Sequence, residues 1–238
     1  MFGRNALLLA LCLTVAFSSP SPTAPAIVKA EARYRAASTL QATFLERYLE
    51  NGRVVRAEAG VAYFRKPGRM RWDYQSPEKS QFVVDGKTAW FYVPSDKTVA
   101  RVPAKKSEDW RTPLALLAGE LKFSRVCSKM ANAPSERPVN AGDEVFTCIL
   151  REPSSTTTQG QSAVGSGKAP PALIEISPQS GELAGIVVTD PGGTSIEFQF
   201  RNWQFNPALP EALFRFAPPP GTAIVNGELP GRENAVNP

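Results

Sequence analysis

Catalysis needs side chains that move protons, attack carbonyls or hold metals, and this chain lacks the most versatile of them: its 238 residues include no histidine. That excludes Ser-His-Asp and Cys-His nucleophilic chemistry, histidine-ligated zinc and any imidazole general base. Ser-Lys chemistry and paired carboxylates survive the exclusion, which leaves Asp73, Asp85, Asp96 and Lys97 to weigh. Asp85 precedes Gly86 and reads as a turn residue, while Asp73 sits between Trp72 and Tyr74 and belongs on the solvent side of a strand. No glycine-rich phosphate loop, metal-ligand spacing or G-x-S-x-G motif occurs. Neither an enzyme nor a cofactor or metal is expected.

The remaining reactive residues are three cysteines, Cys12, Cys127 and Cys148. Cys12 lies in an apolar run from Ala6 to Phe17 that follows Arg4 and leads to Ala24-Pro25-Ala26, so residues 1–26 are expected to be a signal peptide cut near Ala26. The run is too short for a bilayer anchor. Leu11 stands where a lipobox wants a small residue, so acylation of Cys12 is not expected. Export brings the chain to a compartment that permits disulfides. Cys127 and Cys148 fall in adjacent expected strands, symmetric about a turn near Arg137-Pro138, and antiparallel pairing predicts a bridge between them. No C-x-x-C motif argues for a redox role.

The elements that position these groups are mostly strands. Pro67-Gly68 and Asp85-Gly86 are turn signals, and around them Met70, Trp72 and Tyr74 alternate with Arg69, Arg71 and Asp73. Strands are expected at 39–50, 54–65, 69–74, 79–85, 88–93, 97–102, 121–129, 143–151, 172–177, 182–190 and 194–203. A helix is expected from Ile27 to Ala37, carrying Val28 and Tyr34 among charged residues. A second opens at Thr112-Pro113 and runs through Leu114-Ala115-Leu116-Leu117 to Gly119. Residues 153–171 read as a flexible loop and 226–238 as a disordered tail. About eleven antiparallel strands imply a curled sheet or a sandwich, in one domain over 27–225. The net charge of +5, or +4 without Arg4, is spread evenly and points to no nucleic-acid partner.

Two ordered blocks carry a resemblance. Lys66-Pro67 with Trp72, then Asp85-Gly86-Lys87 with Trp90 and Tyr92, are matched far downstream by Asn202-Trp203, Leu213-Phe214-Arg215-Phe216 and Pro218-Pro219-Pro220-Gly221. This pattern resembles the LolA-type periplasmic outer-membrane lipoprotein carriers. The resemblance implies a mainly β fold: an incomplete, unclosed antiparallel β-barrel of about eleven strands with an α-helical lid. It implies a monomeric periplasmic carrier that binds lipoprotein acyl chains in an apolar cavity. The family's partners would be an inner-membrane ATP-driven release complex and an outer-membrane receptor. A lipid- or lipoprotein-sensing regulator, or a carrier of other lipids, on the same half-barrel is the alternative.

By periodicity alone the apolar strand faces read as core. The resemblance turns them into a candidate acyl-chain lining of Phe44, Met70, Trp72, Tyr74, Trp90, Ile174, Ile176, Ile196, Phe198 and Phe200. It makes Leu114, Leu116 and Leu117 the lid residues that fill the empty cavity. Family members usually carry arginine before the proline, as a tie between sheet and lid. Here the position is Lys66, a point charge with three donors rather than a planar fork, read as a weaker latch or as a plain surface lysine.

Overall fold

The computed structural model describes residues 24–106, 121–151, 171–190 and 192–227. Most of the expected signal peptide, the Leu114–Leu117 helix, nearly all of the 153–171 loop and the chain beyond 227 lie outside these residues. The described chain opens with helix α1 (Pro25–Ala36). It continues through strands β1 (Thr39–Glu50), β2 (Arg53–Arg65), β3 (Arg69–Ser76), β4 (Ser80–Val84), β5 (Thr88–Val93) and β6 (Thr98–Pro103). After the one-turn helix α2 (Phe123–Val126) come β7 (Cys127–Asn132), β8 (Glu144–Leu150), β9 (Ala172–Ile176), β10 (Leu183–Thr189), β11 (Thr194–Phe205) and β12 (Ala223–Asn226).

All twelve strands form one sheet in the order β12-β6-β5-β4-β3-β2-β1-β11-β10-β9-β8-β7. Its ends, β12 and β7, do not pair with each other, so the sheet is an unclosed barrel. Every pairing is antiparallel except that of β12 with β6. Ring contacts measure the curl. Trp72 on β3 and Phe198 on β11 are three strand spacings apart along the sheet, about 14 Å if it were flat. Their ring centroids lie 5.6 Å apart. The inner face is therefore strongly concave, and the core gathers on it.

Turn chemistry behaves as the dipeptides imply. Gly68 and Gly86 take positive φ of 63° and 97°, which L side chains resist. Asp85 Oδ1 accepts the backbone N–H groups of Lys87 and Thr88, each at 2.8 Å, and Oδ2 accepts Trp90 Nε1–H at 3.1 Å. Partial burial works against its charge, but these donors outweigh it and lower its pKa. Gly60 is required by closeness rather than by φ: a Cβ there would sit 2.0 Å from the Asp73 carbonyl oxygen and 3.0 Å from the Phe44 ring.

Three expectations need correction. The strand expected over 121–129 starts only at Cys127, because the chain first makes the turn of α2, where Phe123 is buried and its N–H donates to Glu31 Oε1 at 2.8 Å. The count rises from eleven to twelve through β12, whose four residues are all exposed and so carry no alternation to read. Asp73 does not face open solvent. The segment around Glu211–Phe214 lies over that side of the sheet, Arg71 bridges Asp73 (2.8 Å) to the Leu213 carbonyl (3.2 Å), and burial raises the Asp73 pKa against the pull of Arg71.

The predicted disulfide joins Cys127 and Cys148 with a Cα separation of 5.3 Å, but not as an opposed pair. Register places Cys127 across from Leu150 and Met130 across from Cys148, with a shift between Cys127 and Lys129 that brings the sulfurs together diagonally. Closing this loop contributes about 3 kcal/mol. Paired Cys127→Ala and Cys148→Ala substitutions should lower the urea-unfolding free energy by about that amount. Maleimide should find no free thiol in the oxidised parent after export. Equal unfolding midpoints for parent and variant would show the bridge to be dispensable.

Candidate functional site

The concave face is built by strand alternation and register. Phe44 stands opposite Phe200 on one side and Gly60 on the other, and Gly60 in turn opposes Tyr74. Ala62 opposes Trp72, which opposes Phe82. The small residues of β2 leave room for large rings from β1 and β3. Trp72 is fully buried, with the rings of Phe44, Phe64, Phe198 and Phe200 at centroid distances of 4.7, 5.9, 5.6 and 6.1 Å. Such edge and offset contacts each add to the gain from burial itself.

Nine of the ten candidate lining residues come to this face. Phe44, Met70, Trp72, Tyr74, Ile196, Phe198 and Phe200 form its centre, and Ile174 and Ile176 extend it through β9; all nine are buried. Trp90 does not join them. It pairs with Val83, one residue out of phase with Phe82, so it projects from the outer face and packs on Phe216 at 5.5 Å. The neighbour that shares the inner face is Phe91, opposite Phe82. The apolar run Ala89 to Val93 has no alternation from which that phase could be read. Leu114, Leu116 and Leu117 lie outside the described residues.

Besides Phe64, Phe82 and Phe91, the sequence reading also missed Trp203, Phe205 and Glu46 on this face. Trp203 and Phe205 follow a register shift in the β1–β11 ladder, where Asn202 takes φ 55°. The shift returns them to the face of Phe200, against which Trp203 packs at 5.4 Å. Glu46 is fully buried on the same face, and its Oε2 accepts the Tyr74 hydroxyl at 2.8 Å. Its place between Phe44 and Tyr48 in the alternation was the available signal.

Helix α1 covers one end of the concave face. Tyr34 packs edge-on against Trp203 (5.3 Å) and Phe205 (5.2 Å), and its hydroxyl oxygen accepts the Leu183 N–H at 3.0 Å. Lys66, at the end of β2, donates from Nζ to the carbonyls of Tyr34 (2.9 Å) and Arg35 (2.8 Å). Those carbonyls belong to the last turn of α1, where the helix dipole is negative; that of Tyr34 also accepts the Ala37 N–H at 3.3 Å. Arg65 points the other way, to the Leu209 carbonyl at 2.8 Å on the outer face. Strand alternation thus gives the helix to Lys66 alone. Among the described residues no group of three or more His, Cys, Asp or Glu could hold a metal, and no helix is long and apolar enough to cross a membrane.

Known proteins share this pattern. The family model for the outer membrane lipoprotein carrier protein LolA matches residues 35–135, and that of a "predicted periplasmic protein" family matches 185–226. The outer-membrane lipoprotein carrier protein of Chromobacterium violaceum is 31% identical over 223 residues, spanning 91% of this chain and 97% of its own. The chain belongs to the LolA family of outer-membrane lipoprotein carrier proteins. A second LolA relative, from Nitrosomonas europaea, is 28% identical over 223 residues, covering 92% of this chain and 98% of its own. A solved LolA superfamily structure from the same organism aligns over 80% of this chain and 96% of its own, at 12% identity and a TM-score of 0.41. The LolA family is one of carriers, not enzymes.

Two predictions concern α1. Lys66→Leu should release the last turn of the helix, lowering amide protection in α1 by about 2 kcal/mol, while protection in β1–β3 is kept; Lys66→Arg should retain it. Hydrogen exchange of the three proteins makes the comparison, and unchanged α1 protection in Lys66→Leu would reduce the residue to a surface lysine. Tyr34 titration gives the second. Burial pushes its phenol pKa far above the ordinary value near 10. Its neutral form therefore stabilises the docked helix below about pH 10, and that contribution is lost as pH rises past the unfolded value. Loss of α1 protection above about pH 10 should be steeper in the parent than in Tyr34→Phe.

Proposed function

We propose that this chain is a periplasmic carrier that receives lipoprotein acyl chains on its concave aromatic face and shuttles them from the inner to the outer membrane. The observation that carries the reading is an aromatic, concave sheet face covered at one end by a separate helix whose terminal carbonyls Lys66 ties to the sheet. Membership of the LolA family supports the carrier role, and the periplasmic family match agrees with the signal-peptide pattern of residues 1–26.

The physics suits the task. Each methylene taken from water into such a face is stabilised by about 0.8 kcal/mol, so acyl chains need few polar contacts. A carrier must also release its load. Rings that already pack on one another in the empty state give back contact energy when cargo leaves, which keeps the net affinity moderate. α1 must shift for chains to reach the rings beneath it, and the contacts of Tyr34, Arg33 and Lys66 set the cost of that shift. The family resemblance supports an ATP-driven release complex as donor and an outer-membrane receptor as acceptor.

The mature protein should raise the fluorescence of an environment-sensitive fatty-acid probe saturably, with competition by acylated but not by deacylated lipoprotein. Phe198→Glu, which puts an unpaired charge against Trp72, should abolish binding in protein that circular dichroism shows to be folded. Absence of a saturable signal, or equal competition by both lipoprotein forms, would remove the carrier reading. A folded Phe198→Glu variant that binds normally would move the site elsewhere.

A further inference from the structure

At the centre of the concave face lies a donor that the described residues do not use. Trp72 is wholly buried, yet its indole Nε1–H has no hydrogen-bond partner among the described residues. The other two described tryptophans differ. Trp90 Nε1–H donates to Asp85 at 3.1 Å, and Trp203 Nε1–H donates to the Leu183 carbonyl at 2.7 Å. Buried polar hydrogens are nearly always paired, because leaving one dry forfeits its bond to water. Phenylalanine would have filled a slot among Phe44, Phe64, Phe198 and Phe200 without that cost.

An indole nitrogen donates and cannot accept. The missing partner is therefore an acceptor, and it must arrive inside a ring cluster whose buried polar side chains, Glu46 and Tyr74, bond to each other at 2.8 Å. A long alkyl chain ending in a carbonyl has that chemistry. We infer that Trp72 Nε1–H is a recognition donor for the ester or amide carbonyl of a bound acyl chain, so that the concave face selects acyl groups over plain alkyl chains of equal length. This rests on the carrier reading and adds to it a specificity-determining residue and the linkage that it reads.

Dioctanoylglycerol and its diether counterpart dioctylglycerol have matched chain lengths and differ in their two carbonyls. Displacement of the fatty-acid probe from the mature protein should favour the diester by about five- to tenfold, the worth of one buried hydrogen bond. Trp72→Phe should bring the ratio close to one, and because each protein is its own reference, any shape loss cancels. In the unmodified protein, the Trp72 indole proton resonance should move downfield with the diester and stay in place with the diether. This reading stands even if Trp72→Phe folds poorly. Equal affinities in the parent, a ratio unchanged in folded Trp72→Phe, or an indole resonance indifferent to the diester would each overturn the inference while leaving the carrier role intact. If neither lipid displaces the probe, the carrier role fails and this inference with it.

Discussion

An open sheet with one aromatic face has to keep that face from water, and the rest of this molecule follows from how that is done. Trp72, Phe44, Phe198 and Phe200 come from strands up to three spacings apart and still touch. Contact across that span is possible only when the sheet bends around the rings, so ring packing and curvature are one event. The small residues of β2, Gly60 and Ala62, lie in the middle of the bend. There a larger side chain would force the rings apart, and at Gly60 even a methyl group collides with the backbone of β3.

Bending alone does not close the barrel, because β12 and β7 remain apart. One end of the open mouth is covered by α1, a helix with little intrinsic reason to stay. It has no side-chain N-cap, and its apolar stripe is narrow. Tertiary contacts hold it: Tyr34 among aromatic rings, Arg33 on Glu182 at 3.0 Å, and Lys66 on its terminal carbonyls. Local stability drawn from a few such contacts is low compared with that of a strand ladder. A cover of this kind can open locally while the sheet stays whole, which is what the proposed carrier role needs.

The outer face is managed differently. There Arg65, Arg69 and Arg71 meet the chain around Glu211–Phe214 through backbone carbonyls and the Glu211 carboxylate, and Phe214 is buried beneath. The segment acts as a fixed brace on strands β2 to β5. Polar ties thus hold the outside of the sheet, and ring packing holds the inside. At the far end, the disulfide secures β7, which among the described residues is an edge strand of the sheet.

The amino-acid sequence by itself determined most strands, both turn dipeptides, the cysteine pair and the aromatic stripe on β3 and β11. Those depend on short-range sterics and on the two-residue period of a strand, which are written locally. It also carried the Lys66-Pro67 and Asp85-Gly86-Lys87 blocks that mark the family. Only the tertiary structure decided the facing of Trp90, because an unbroken apolar run has no phase until register with β4 supplies one. The same holds for Trp203 and Phe205, returned to the inner face by a register shift, and for β12, a strand only because β6 offers an edge. Cys127 and Cys148 bond across a staggered ladder, and the lysine of a turn becomes the tie of a helix more than thirty residues earlier. Each of these is set by long-range pairing, which no window of sequence contains.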